Sequence, residues 1–232
     1  MLVIGSGAGA LVTAVTAAHA GLAVTLVEKA PVLGSTTAWS GGWLWIPRNP
    51  LALAAGINED PDEPRLPGQR DRRHRRRSAG RRLPRQRPEM LRFFEETPRS
   101  PSSMATGCPT STRRRGRARG GRSVAARPYD GRRLGAWIDR LRPPLDVISL
   151  GGLGISSGAD LYHFVNATRS LASARHVAGR FLRHGRDLAR LRRSTQLVNG
   201  NALVARLVAP VPSQSPTATG HLRADRTGST PT

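Results

Sequence analysis

Residues 1–47 read MLVIGSGAGALVTAVTAAHAGLAVTLVEKAPVLGSTTAWSGGWLWIP, and the order of signals in this stretch decides the fold. A short apolar, β-branched run, Leu2-Val3-Ile4, leads straight into Gly5-Ser6-Gly7-Ala8-Gly9-Ala10. An Ala-rich helical segment follows, punctuated by Gly21, and a second strand, Ala23 to Val27, ends on Glu28. Strand, glycine loop, helix, strand and acid in that order form a dinucleotide-binding βαβ unit. Gly5 permits the tight strand-to-helix turn, Gly7 lets the backbone approach a pyrophosphate, and the small Ala10 lets the helix pack closely on the strand. Ser6, Ala8 and Gly9 complete the loop, and the helix N-terminus offers N–H groups and partial positive charge to phosphates. Glu28 is placed to accept hydrogen bonds from a ribose diol and disfavours a 2′-phosphate. The alternative is an ordinary buried βαβ unit without a ligand.

Beyond Glu28, Gly34-Ser35-Thr36-Thr37-Ala38-Trp39-Ser40-Gly41-Gly42-Trp43-Leu44-Trp45-Ile46-Pro47 gathers hydroxyls, glycines and aromatics into one loop. Such a loop can hydrogen-bond a pyrophosphate and a ribityl chain while walling a flat ring with apolar surface. Read without that ligand, it is a Gly/Ser/Thr turn followed by a Trp-bearing core strand. The segment resembles the flavoprotein family of fumarate reductase subunits and 3-ketosteroid Δ1-dehydrogenases. Members of that family carry E-K…G-G-T-T-A-x-S-G-G…W-x-P after the same βαβ unit, matched here from Glu28 and Lys29 to Trp45 and Pro47. The departures are Ser35, where Gly is usual, and Gly9-Ala10, where Ala-Gly is commoner; Ser35 is strained if its φ is positive.

The resemblance returns in Pro128-Tyr129-Asp130-Gly131-Arg132-Arg133-Leu134-Gly135 and in Asn199-Gly200-Asn201-Ala202-Leu203-Val204-Ala205-Arg206-Leu207. It implies FAD as cofactor, held by Gly5, Ser6, Gly7, Ala8, Gly9, Ala10, Glu28, Lys29, Thr36, Thr37, Ser40, Gly41 and Gly42. It further implies an oxidoreductase that passes a hydride from a substrate C–H to the flavin N5. The implied substrate is a small molecule, a ketosteroid first. Ketosteroid dehydrogenases draw their bases largely from tyrosines, one in an aromatic segment before the G-R run. Ser111-Thr112-Arg113-Arg114-Arg115 stands there instead. Tyr129 and Tyr162, the only tyrosines, do not match the family's base positions, so no catalytic residue is assigned.

Composition is unusual for such an enzyme. The net charge is +22 on 232 residues, and Lys29 is the one lysine among 37 basic residues. Arginine is concentrated in Arg65–Arg87 and Arg113–Arg122, runs without helical or strand periodicity and broken by Pro and Gly. Like charge at that density predicts disorder. One functional reading is an Arg-rich nucleic-acid-binding protein, but the runs lack interleaved aromatics that would stack on bases. Adventitious contact with polyanions needs charge alone. Another reading is frameshift: segments near 65–87, 97–119 and 208–232 lose the family pattern, which resumes in register between them. The island Pro88–Glu96 resembles a family helix, E-M-L-x-F-F-E. Natural low-complexity linkers are the alternative.

The expected fold is therefore α/β: an incomplete Rossmann-type FAD-binding domain with added helices and disordered Arg-rich segments. Residues 1–64 hold the βαβ unit and flavin loop, and 65–122 are Arg-rich, low-complexity and disordered apart from a short helix at 89–96. Residues 123–207 are a helical continuation, and 208–232 a disordered tail. Ala174, Val177, Ala178, Phe181, Leu182, Leu188 and Ala189 share one face of a helix, with Arg175, Arg180, Arg183, Arg186 and Arg190 off it. This predicts a surface helix, or alternatively a membrane-surface or partner-binding one. Leu161, Phe164, Val165 and Thr168 predict a shorter helix before it, and Ser149–Gly154 reads as a turn. His163, His176 and His184 show no ligand spacing for a metal, and Cys108 is alone. The N-terminal apolar stretch lacks a basic n-region and is broken by the nucleotide signature, so neither a signal peptide nor a membrane span is expected, and cytoplasmic residence is the default expectation. A polypeptide with only the pyrophosphate and ribose end of a flavin site is expected to be inactive as a dehydrogenase.

Overall fold

The computed structural model describes residues 1–46, 49–54, 89–91, 93–94, 104–106, 123–209 and 221–222. The Arg-rich runs 65–87 and 113–122 and most of 208–232, for which disorder is expected, lie outside the described residues. The chain divides into two units, one of residues 1–42 with 126–232 and one of residues 43–125.

The first unit opens as the sequence predicts. Strand β1 (Leu2–Ile4) runs into helix α1 (Ala8–His19), and β2 (Thr25–Val27) returns parallel to β1, pairing Val3 with Leu26. Parallel pairing requires a crossover, which α1 supplies. Val3 and Leu26 are buried while Leu2 and Ile4 are exposed, the period-two alternation of a strand with one covered face. The Gly5 N–H donates to the Val27 carbonyl at 2.7 Å and so carries the pairing one step into the loop. Residues Ser35–Trp39 then wind into a 3₁₀ turn.

The second unit contains β3 (Trp43–Trp45), helix α2 (Pro50–Ala54), β4 (Met104–Thr106) and β5 (Ser123–Ala126). Strand β4 falls within 97–119, where disorder is expected, and corrects that expectation because pairing with β5 gives its backbone partners. β5 lies between β3 and β4, antiparallel to β3 with Leu44 opposite Val124. Buried Ile46, Leu91 and Val124 make its core, with Leu44, Leu51 and Met90 against them. Asn49 joins strand to helix: its Nδ2 donates to the Ile46 carbonyl, and its Oδ1 accepts from the Ala52 N–H, both at 2.9 Å.

Residues 126–209 return to the first unit and correct one expectation. They carry short strands as well as helices: β6 (Tyr129–Asp130), β7 (Ser149–Leu150), β8 (Leu153–Gly154) and β9 (Gln196–Leu197). Tyr129-Asp130 pairs antiparallel with Gln196-Leu197. Gly131 then allows the close approach that starts the 3₁₀ segment Gly131–Arg140, since a Cβ there would sit 2.7 Å from Ile138 Cδ1. The turn expected at Ser149–Gly154 is the tip of the β7–β8 hairpin, with Gly151 and Gly152 both at positive φ. Helices α3 (Ala159–Val165), α4 (Leu171–Leu191) and α5 (Asn199–Val208) complete this part. The tail was expected to lack structure, yet His221–Leu222 forms β10, parallel to β2 on the side away from β1.

Helix α4 spans the stretch whose apolar stripe the sequence places on one face. Its apolar stripe is not its buried face: Ser173, His184 and Asp187 are buried, while Phe181, Leu182 and Leu188 are exposed. The buried carboxylates beneath it are satisfied by neighbours. Asp187 accepts from the Thr195 N–H at 3.0 Å and the Thr195 hydroxyl at 2.5 Å. Asp160, on α3, accepts from His176 Nε2 at 2.8 Å, pairs with Arg180 Nη1 at 2.7 Å and accepts from the Ser156 N–H at 2.9 Å. The His163 ring stacks on His176 at 4.5 Å and its Nδ1 meets the Ser173 hydroxyl at 3.1 Å.

Burial works to raise the pKa of Asp160, but the His176, Ser156 and Arg180 contacts outweigh it and hold the carboxyl below the usual aspartate value. A carboxyl lowered on folding contributes stability that is complete above its unfolded pKa and is lost as pH falls through the folded one. Stability from the α3–α4 pairing is therefore expected to be level above about pH 5 and to fall below about pH 4. Urea unfolding of wild type and Asp160→Asn across that range checks this. The gap between them should close at low pH, and a constant gap would show that Asp160 is not ionised in the fold.

Candidate functional site

The loop between β1 and α1 is built on local backbone demands. Gly5 takes φ +95°, a left-handed conformation that side chains disfavour, and a Cβ there or at Gly9 would meet no atom within 4 Å. Gly7 is the N-cap of α1 with no side chain to cap the helix, so the first turn, Ala8 to Ala10, presents backbone N–H groups without intrahelical acceptors. The Ala8 N–H is met by Thr37 Oγ1 at 2.9 Å. Ser6 is wholly buried and ties three segments together: its hydroxyl donates to Glu28 Oε2 and accepts from the Gly34 N–H at 2.9 Å.

Glu28 follows β2 directly and is only part-buried. Burial pushes its pKa up, but hydrogen bonds from the Ala30 N–H, at 2.9 Å to Oε1, and from Ser6 outweigh it and keep the carboxyl below its ordinary value. The carboxylate is thus held ionised at the end of β2, braced by donors from Ala30, Ser6 and Lys29. Lys29 and Thr36 are both exposed.

The turn after Gly34 is held from the far end of the sequence. Gly34 has φ +108°, and Ser35 follows at φ +47°, in the left-handed region that costs a non-glycine residue about 1 kcal/mol. Helix α5 starts on this turn. The Gly200 N–H donates to the Ser40 carbonyl at 3.0 Å, and Asn201 Nδ2 donates to the Ala38 carbonyl at 2.7 Å. The approach needs glycine on both sides. A Cβ on Gly200 would overlap the Thr37 carbonyl oxygen, and one on Gly42 would lie 2.5 Å from the Asn199 carbonyl carbon. Asn199 and Asn201 were not among the candidate site residues, although their motif was visible. The signal was the Asn-Gly-Asn run itself, in which Asn199 takes φ +55° as asparagine tolerates.

A cavity of about 380 Å³ adjoins this junction, walled by Ala38, Ser40, Arg193, Gln196, Asn199 and Asn201 among others. Asn201 Oδ1 is buried there without a hydrogen-bond partner. A buried acceptor left open costs free energy unless a bound group satisfies it. Free N–H groups at a helix start, an ionised carboxylate, an open glycine cradle and an orphaned acceptor suit an anionic dinucleotide with a polar ring edge. Among the described residues, no group of three or more His, Cys, Asp or Glu could hold a metal ion.

The sequence model of the FAD binding domain family matches residues 1–225. The chain belongs to that family. It is 33% identical over 215 residues to 4-oxocyclohex-2-ene-1-carboxylate 5-dehydrogenase of Sinomonas cyclohexanicum, covering 90% of this chain and 35% of that protein. It is 35% identical over 167 residues to 3-oxosteroid 1-dehydrogenase of Mycolicibacterium smegmatis, covering 62% of this chain and 26% of the relative. The crystal structure of 3-ketosteroid delta1-dehydrogenase from Sterolibacterium denitrificans, in complex with 1,4-androstadiene-3,17-dione, superposes with a TM-score of 0.62 at 24% identity, and shows the fold. That match covers 89% of this chain and 37% of the solved one, so the chain spans about a third of the length of such relatives. The FAD-binding α/β fold and the cofactor read from the Gly5–Gly42 motifs agree with this family.

Proposed function

We propose that this chain is the FAD-holding part of a dehydrogenase that removes hydrogen from carbon beside a ring ketone. The substrate is a 3-ketosteroid or a smaller oxocyclohexane acid. The observation that carries the reading is the Ser6–Glu28–Gly34 network, which fixes an ionised acid beside a glycine-cradled helix start. The N–H groups of Gly9 and Ala10 hold the pyrophosphate, and Glu28 accepts from the hydroxyls of the adenosine ribose. Thr37 and Ser40 brace the turn, through the Ala8 N–H and the Thr37 carbonyl respectively, and Gly41 and Gly42 let the chain run close to the ribityl end. Lys29 and Thr36 lend donors at the exposed rim. FAD, when bound, supplies the acceptor for the substrate hydride.

No described tyrosine is set up as a base. Burial raises the Tyr129 phenol pKa against the pull of Arg133 and Arg206, and Tyr162 is exposed on α3. The 232-residue chain is accordingly proposed to bind FAD without turning over substrate. The test is a binding titration with FAD and with FMN, which lacks the adenosine. Glu28→Ala should weaken FAD binding about 30-fold, close to 2 kcal/mol for a charged hydrogen-bond acceptor, and leave any FMN binding unchanged. Equal losses for both flavins would remove Glu28 from the ribose. Measured turnover of a 3-ketosteroid by this chain would overturn the inactivity.

A further inference from the structure

The outward face of α4 has an uncommon composition. Leu171, Ala178, Leu182 and Ala189 recur at i, i+7, i+11 and i+18, one line along the helix, and all four are exposed. Leu171 is 78% and Leu182 79% accessible, with Phe181 and Leu188 on one flank at 44% and 40%. The other flank carries exposed Arg175, Arg186 and Arg190. Helix α3, whose Phe164 ring meets Phe181 edge-on at 6.0 Å, adds exposed Leu161, Tyr162 and Val165. Between residues 151 and 209 the chain has only two acids, Asp160 and Asp187, and both are buried among partners beneath this surface. Among the described residues of α3 and α4 the outer face is thus apolar and cationic; Asp130, from outside these helices, pairs with Arg183 at 3.4 Å.

We propose that the outer face of α3 and α4 is an interfacial docking surface for an anionic phospholipid bilayer, lying in the headgroup plane with Leu171 and Leu182 among the acyl chains. A polar face turned inward, a leucine line outward and flanking arginines are what an in-plane helix requires. Among the described residues no helix is long and apolar enough to cross a membrane, so the contact is peripheral. Arginines at the edge of the leucine line extend their apolar stems along it and bring guanidinium groups to lipid phosphates. A second copy of the chain fits less well, since two such faces would set arginine against arginine with no acid between them.

The test separates insertion from simple charge attraction, because arginine runs elsewhere in the sequence would be drawn to any anionic surface by charge alone. In the full chain carrying Cys108→Ser, an environment-sensitive fluorophore is attached at Leu182→Cys and, as a control, at Ala18→Cys on α1. Vesicles of phosphatidylcholine with phosphatidylglycerol should shift the Leu182 label to the blue, and lipids spin-labelled in the acyl chain should quench it. The Ala18 label should show neither effect. Leu171→Gln/Leu182→Gln keeps the net charge and changes only exposed positions, so the fold should persist. Its vesicle affinity should fall about tenfold or more. Vesicle binding without a blue shift, or with the double variant unaffected, would overturn the proposal in favour of charge alone. A blue shift without vesicles that grows with protein concentration would overturn it in favour of self-association.

Discussion

Gly7→Asp is expected to abolish FAD binding while leaving the fold as stable as before. The two effects part because Gly7 is the N-cap of α1 with φ −72° and ψ 174°, an extended conformation any residue adopts. Aspartate is a favoured N-cap and differs from glycine there by a few tenths of a kcal/mol. Its Cβ would meet Ser35 Cβ at 3.6 Å and Thr37 Oγ1 at 3.8 Å, ordinary contacts. The carboxylate, however, would take the N–H groups meant for the pyrophosphate and set a negative charge against its two. A loss of at least ~100-fold, near 3 kcal/mol, follows. Flavin fluorescence quenching reads the binding, and urea unfolding reads the stability. Unchanged binding would mean that no phosphate rests on this helix.

Gly200→Ala should do the reverse and damage the fold first. Its new methyl group would collide with the carbonyl oxygen of Thr37 and lie 2.8 Å from that of Ser40. Both are backbone atoms of the 3₁₀ turn, so no rotamer relieves the clash, and the helix must lift away from the turn. Overpacking of this kind costs about 3 kcal/mol or more. Gly185→Ala is the control, because a Cβ at that helical position meets nothing within 4 Å. It should gain up to about 1 kcal/mol from helix propensity. A chemical denaturation series over wild type and the two variants separates these outcomes. A Gly200→Ala protein as stable as wild type would show that α5 does not rest on this turn.

What could be read from the sequence was local. The Gly5–Ala10 loop and the positive φ expected at Ser35 depend on residues within a few positions of one another, and the parallel return to Glu28 follows from one strand–helix–strand run whose partners lie 23 residues apart. The anchoring of Ala38 by Asn201 spans 163 residues, and no periodicity signals a bond of that reach. Helix α4 shows a different limit. Its apolar stripe establishes that the helix has two unlike faces, but which one turns inward depends on partners elsewhere in the chain. Thr195 and Ser156 meet the carboxylates of Asp187 and Asp160, and those satisfied charges can be buried where unpaired ones could not. The strand at His221–Leu222 is two residues long, too short to stand out from a tail without pattern.

The Ser6 hydroxyl bears on how fast the cofactor is captured. It links the glycine loop, the acid after β2 and the start of the 3₁₀ turn by bonds internal to the chain, so these three segments become ordered when the protein folds. The conformational entropy of the loop is then lost during folding, and little is left to lose in the encounter with a nucleotide. Capture should be a single fast phase whose rate rises in proportion to FAD concentration, with no slower unimolecular step behind it.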